Sequence, residues 1–223
     1  NRTRRERCEV SVRAAKSVPG FLDAVEIVLV EASPVLRDIQ REKLGATIRW
    51  ADHFDSSLTD RPLFLVANEF FDALPLRQYV KTARGWCERM VTAPKIETGG
   101  DDLAFALAPM PAPGALIPEN RAAAPDGGVY ETQPAAIALA ESIGRHIEAH
   151  GGAALMIDYG RAESAIGESL QAVSRHRMVA IFDAPGEADL SAHVDFGPLR
   201  RAGAEAGAAA WGPTSQGAFL TAL

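Results

Sequence analysis

The stretch that most constrains the fold is Leu63-Phe64-Leu65-Val66-Ala67, five apolar residues set between Pro62 and the run Asn68-Glu69-Phe70-Phe71-Asp72-Ala73-Leu74-Pro75. An apolar run of this length without polar alternation reads as a strand covered on both faces. Two other segments share the design: residues 25–30 are mostly aliphatic and end in Glu31-Ala32-Ser33-Pro34, and residues 153–157 end in Asp158-Tyr159-Gly160. Between the first two runs, Pro34 opens a helix in which Val35, Leu36, Ile39 and Leu44 recur at helical spacing until Gly45. Residues 46–50 then form a short strand ending at Ala51-Asp52. Aliphatic strands alternating with a helix indicate an α/β sheet, not a sandwich or a bundle. In open sheets of that kind ligands bind at the carboxyl ends of the strands, and here each such end carries an acid.

From Leu76 the pattern changes. Residues 76–81 and 86–92 read as a hairpin through Ala83-Arg84-Gly85, followed by a strand at 103–107. Residues 108–128 hold Pro109, Pro111, Pro113, Pro118 and Pro125 and read as an ordered loop or lid. Approximately residues 76–130 thus form an inserted β-ribbon and loop within one domain spanning 1–223. The core pattern resumes with a helix at 134–150 ended by Gly151-Gly152, then strands at 153–157 and 170–173. A loop through Ala184-Pro185-Gly186, a helix at 196–206, a strand at 208–211 and a helix from Thr214 complete the chain.

The net charge of −6 argues against a general nucleic-acid or anionic-membrane surface, and the cluster Arg2, Arg4, Arg5, Arg7 reads as a solvated end. Cys8 and Cys87 lie far apart without CxxC spacing, which indicates neither a disulfide framework nor a zinc site and suits a reducing compartment. No stretch approaches the roughly 20 apolar residues of a membrane span, and the start lacks a signal peptide's apolar region, so a soluble intracellular chain is expected. His146 and His150 stand at i, i+4, but no acid completes an HExxH pattern; a solvated helix face is the expectation, with no metal.

The strand ends carry the chemistry. If the chain turns helically after Asn68, Glu69 and Asp72 fall on one side, with Phe70 and Phe71 free to wall a site or anchor the turn. Two acids in a partly dry pocket suit a cation, and guanidinium matches them best because its donor fork pairs bidentately with carboxylates; capping of the following helix is the plainer alternative. Glu31 stands where an acid accepts both hydroxyls of a ribose, and Asp52 where an acid meets an adenine amino group or simply faces solvent. Asp158 and Tyr159 end another strand at the same rim, or form an ordinary turn. In Asp189-Leu190-Ser191-Ala192-His193-Val194-Asp195-Phe196, His193 beside Asp195 has the makings of a general base, or of a structural histidine. No GxSxG elbow exists, which excludes a hydrolase built on Ser191. Residues 212–217, including Gln216, resemble a capped helix start whose backbone donors suit an anion or ligand carboxylate, or form a plain N-cap. No GxGxxG run precedes Glu31.

Five segments (29–34, 68–75, 151–160, 185–196 and 212–220) together resemble the MidA family of class I methyltransferases, which includes a mitochondrial arginine methyltransferase that assists respiratory complex I assembly. The resemblance runs from about residue 14 to residue 220. It implies a Rossmann-like sheet, S-adenosyl-L-methionine as donor, and protein arginine N-methylation with a protein substrate such as a complex I subunit. It implies Glu31 as the acid that holds the ribose and residues 68–72 as the methyl-transfer rim. Together with the residue readings above, Glu31, Asp52 and Asn68 are the expected cofactor-binding residues, Glu69, Asp72 and His193 the expected catalytic residues, and Phe70, Phe71, Asp158, Tyr159, Asp195 and Gln216 the expected substrate-binding residues. A cytoplasmic setting follows for a bacterial member and the mitochondrial matrix for eukaryotic relatives. Residues 1–10 carry none of the recognised segments; the family's glycine-rich donor loop lies upstream of the resembling region, and its continuation follows the Gln-Gly-x-Phe-Leu pattern. The sheet is thus expected to be incomplete at its N-terminus. The rival readings are a non-catalytic assembly factor that keeps the fold without binding donor and, third, a nicotinamide dehydrogenase.

Overall fold

The computed structural model describes residues 17–44, 48–93, 103–183 and 185–222. The basic cluster, Cys8, Gly45, the start of the strand expected at 46–50, and Ala184 lie outside the described residues. The chain divides into two compact units, Asn1–Leu58 and Thr59–Leu223.

In the first unit a single helical turn α1 (Phe21–Ala24) is followed by β1 (Val28–Val30), α2 (Pro34–Leu44) and β2 (Arg49–Ala51). β1 and β2 pair in parallel, with Val28 opposite Arg49 and Val30 opposite Ala51. The crossover is fastened by Trp50, whose indole N–H donates to Gln40 Oε1 at 2.8 Å while Arg41 lies over its ring. β1 is shorter than the aliphatic run suggests, because Val25 already ends α1.

The second unit begins with β3 (Leu63–Asn68), the four-stranded ribbon β4 (Arg77–Thr82), β5 (Gly85–Thr92), β6 (Ala104–Leu107) and β7 (Val129–Thr132), then α3 (Pro134–His150) and β8 (Gly152–Ile157). It continues with β9 (Gly160–Arg161), β10 (Gln171–Ser174), β11 (Arg177–Val179), β12 (Asp189–Ser191), β13 (Val194–Asp195), α4 (Phe196–Glu205) and α5 (Gln216–Thr221). β3 and β8 pair in parallel along six residues, from Leu63 opposite Gly152 to Asn68 opposite Ile157. β9 and β13 also pair in parallel. The ribbon is antiparallel in the order β6-β5-β4-β7, and β10 runs antiparallel between β11 and β12.

Tyr79, Trp86 and Tyr130 form the core of the ribbon, and Ala112, Ile117, Ala124 and Ile166 pack against them. The proline-rich stretch 108–128 is therefore an ordered cover, as its composition suggests, and it carries short 3-10 turns at Gly114–Leu116 and Glu119–Arg121. α3 packs closely against α4 because both helices are stripped of bulk at the crossing. A methyl group on Gly144 would lie 2.7 Å from the Gly203 carbonyl oxygen.

Three expectations need correction. Along β3 burial alternates, with Leu63 and Leu65 partly buried while Phe64 and Val66 stay exposed, so this run is not covered on both faces. His146 is buried instead of solvated, because its Nε2 hydrogen-bonds the Arg61 carbonyl at 3.0 Å under the start of β3. Residues 208–211 form no strand, and Trp211 stands exposed. Strands β7, β9, β12 and β13 are too short or too polar to show in the apolar pattern, and β12 and β13 fall within the polar 189–196 run.

Candidate active site

Parallel pairing brings the ends of β3 and β8 side by side, and the Glu69 N–H continues the ladder by donating to the Ile157 carbonyl at 2.9 Å. There the chain leaves extended geometry abruptly: Glu69 adopts φ +48°, in the left-handed region that non-glycine residues rarely occupy. Residues Phe71–Ala73 follow as one 3-10 turn. This is not the helical continuation that would set Glu69 and Asp72 at i, i+3 on a helix face.

Asp158, at the end of β8, organises that turn. Its Oδ2 accepts the backbone N–H groups of Phe70, Phe71 and Asp72 at 3.2, 3.0 and 3.1 Å, and its Oδ1 accepts the Tyr159 N–H at 2.9 Å. Burial pushes the Asp158 carboxyl above its ordinary value, while the four backbone donors pull the other way. Tyr159 is exposed, and its hydroxyl donates to Glu69 Oε1 at 3.3 Å. Phe71 is only 1% exposed, with its ring edge-on to Phe70. It therefore anchors the turn and does not wall a site, whereas Phe70 remains partly exposed.

Two further bonds hold the turn from the opposite side. Gln133, 4% exposed, donates from Nε2 to the Phe71 carbonyl at 3.0 Å, and the Ala192 N–H donates to the Asp72 carbonyl at 2.9 Å. The Val194 N–H donates to the Tyr159 carbonyl at 2.8 Å. His193 thus sits between two residues bonded to the rim. Sequence reasoning missed Gln133; its only signal was its place directly before Pro134 at the start of α3.

The His193–Asp195 pair does not form. Asp195 immediately precedes α4 and its Oδ2 takes the Ser164 hydroxyl, while its Oδ1 is buried without a partner. His193 is exposed and its backbone N–H donates to Ser169 Oγ, which in turn donates to Glu131 Oε2 at 2.5 Å. Both residues line one small pocket together with Gln133, Glu131 and Arg161. Gln216 opens α5, whose N-cap Ser215 accepts the Ala218 N–H, and among the described residues it makes no hydrogen bond to the rim.

In the first unit, Glu31 closes β1 and its Oε1 accepts the Ser33 N–H at 3.0 Å, fixing the turn into α2. Asp52 follows β2 and is ion-paired with Arg37. An acid at a parallel strand end, with one carboxylate oxygen uncommitted among the described residues, fits the vicinal hydroxyls of a ribose. Among the described residues no cluster of three metal-ligating side chains occurs, and no helix is long and apolar enough to cross a membrane.

The family described as "Putative S-adenosyl-L-methionine-dependent methyltransferase" matches residues 8–214. The mitochondrial protein arginine methyltransferase NDUFAF7 of Rattus norvegicus is 32% identical over 96% of this chain, covering 49% of the relative. That of Homo sapiens is 36% identical over 70% of this chain and 34% of its own length. The chain spans about half the length of the curated relatives it matches. A crystal structure from Burkholderia thailandensis with bound S-adenosyl-homocysteine superposes with a TM-score of 0.64 at 33% identity, covering 82% of this chain and 48% of that one. The chain belongs to this S-adenosyl-L-methionine-dependent methyltransferase family, with the α/β fold of its class I members.

Proposed function

We propose that this chain carries the acceptor side of an S-adenosyl-L-methionine-dependent protein arginine N-methyltransferase, with residues 68–72 as the rim at which the guanidinium is presented. One observation carries the reading: Glu69, Asp72, Tyr159 and the His193 segment are drawn to a single strand edge by long-range hydrogen bonds, in a chain of a methyltransferase family. When bound, the donor supplies an electrophilic methyl group on a sulfonium centre. Glu31 and Asp52 suit its ribose and adenine, and Asn68 stands at the strand end where the rim begins.

The work of the rim is positioning. Glu69, oriented by the Tyr159 hydroxyl, and Asp72 accept guanidinium N–H groups and so draw positive charge onto the nitrogens that do not react. Phe70 provides an apolar surface that limits water. His193 takes up the proton released from the acceptor nitrogen. The name of the rat and human relatives supports arginine as the acceptor. A respiratory complex I subunit as target, in the cytoplasm of a bacterium or the matrix of a mitochondrion, completes the reading.

Glu69→Gln in the full-length protein tests it. Turnover is expected to fall on the order of 100-fold, with donor affinity by calorimetry unchanged. Unchanged turnover removes Glu69 from the mechanism, and absence of donor binding in the unaltered protein favours a non-catalytic assembly factor.

A further inference from the structure

The rim turn is unusual in how little of it is fixed by its own residues. Glu69 is held at a positive φ that its side chain disfavours, and no regular helix follows to stabilise it. A left-handed non-glycine residue persists only where its surroundings over-determine the backbone. The strongest such constraint here is a carboxylate that lies 86 to 88 positions away in sequence and collects three consecutive N–H groups on one oxygen. Hydrogen bonds from neutral donors to an ionised acceptor are roughly twice as strong as neutral ones. Both Asp158 oxygens are committed to backbone donors, which leaves this residue poorly placed to bind a substrate through its side chain.

We infer that Asp158 is the positioning residue of the rim: its carboxylate gathers the N–H groups of Phe70, Phe71 and Asp72 and thereby sets the orientation of the Glu69 and Asp72 side chains. Its effect reaches the acceptor through Glu69, whose carboxylate is also steadied by the neighbouring Tyr159 hydroxyl. The inference rests on the proposed role of Glu69 and adds to it a dependence on Asp158.

Asp158→Asn keeps the shape and one acceptor oxygen but removes the charge, and it places an amide NH2 against either the three rim donors or the Tyr159 N–H. In the full-length protein, kcat is expected to fall on the order of 100-fold, as for a reacting group displaced by about 1 Å, with donor affinity unchanged. The discriminating readout is the double variant. If Asp158 acts through Glu69, Asp158→Asn combined with Glu69→Gln loses little beyond Glu69→Gln alone; a purely structural role gives multiplicative losses. Asp158→Glu, which keeps the charge and lengthens the side chain, is expected to recover part of kcat and is read the same way should Asp158→Asn not fold. A large loss for Glu69→Gln with wild-type kcat for both Asp158 variants, or multiplicative losses in the double variant, overturns the inference and leaves the Glu69 reading intact. Wild-type kcat for Glu69→Gln overturns both.

Discussion

Gly160→Ala tests how the 189–196 segment is fastened to the end of β8. A Cβ on Gly160 would lie 2.1 Å from the Val194 carbonyl oxygen and 2.8 and 3.0 Å from two atoms of the Phe196 ring. The oxygen belongs to backbone paired directly with Gly160, so it has no rotamer by which to escape. To reach ordinary contact distance it must retreat by roughly 1 Å or more. That displacement stretches the 2.8 Å bond from the Val194 N–H to the Tyr159 carbonyl beyond hydrogen-bonding range. Val194 is fully buried, so water does not replace the lost partner. An orphaned buried donor costs about 1–3 kcal/mol, and the overpacking at Phe196 costs about 1–3 kcal/mol more. The expected loss of about 2–6 kcal/mol is a large part of the roughly 5–15 kcal/mol that stabilises a typical domain. Urea unfolding of the full-length variant measures it. Gly217→Ala, in α5 with nothing within 4 Å of the added methyl, is the control and is expected to be neutral or up to about 1 kcal/mol stabilising. A Gly160→Ala variant within about 0.5 kcal/mol of wild type refutes the argument that β9 and β13 pair this closely.

The other sites give smaller, separable effects. Gly144→Ala sets a helix-propensity gain of about 1 kcal/mol against overpacking onto Gly203 of about 1–3 kcal/mol, so a net loss near 1 kcal/mol is expected in urea, and a clear gain contradicts the close α3–α4 crossing. Tyr79 and Tyr130 are both held above the ordinary phenol value, chiefly by burial, so folding favours their neutral form. Their contribution is complete below the unfolded value near 10.0 and is lost as pH rises through the higher folded values. Alkaline unfolding of Tyr79→Phe is expected to depend less steeply on pH than that of wild type, and identical profiles count against a buried phenol. Glu31→Gln is expected to weaken donor binding by about tenfold in calorimetry while the ribbon and rim keep their stability; undiminished affinity removes Glu31 from the donor site.

What the sequence revealed, and what it hid, follows from the reach of each signal. Strands β3 and β8, helix α3 and the β4–β5 hairpin were legible because periodicity and turn residues are local. The acids after β3 were legible as lying at a strand end because the aliphatic run stops at Asn68. The left-handed Glu69 was not, since nothing in Asn68-Glu69-Phe70 marks a positive φ; the constraint comes from Asp158, far along the chain. Asp158 and Tyr159 were placed at the correct rim, but their division of labour depends on which atoms face the backbone. Asp195 turned to Ser164 instead of His193 for the same reason: adjacency in sequence says little about orientation where a strand passes directly into a helix. Gln133 and the buried His146 carry no sequence periodicity of their own, and only packing shows that one holds the Phe71 carbonyl and the other the Arg61 carbonyl.

The most direct test of the central claim is a single-turnover transfer assay on the full-length protein, with a labelled methyl donor and an arginine-containing protein acceptor, read by mass spectrometry of the acceptor. The expected result is a methyl group on a guanidinium nitrogen, formed by the wild-type protein and lost in the Glu69→Gln variant that still binds donor. A methyl group formed equally well by that variant, or found on a residue other than arginine, contradicts the assignment of residues 68–72 as a guanidinium-presenting rim.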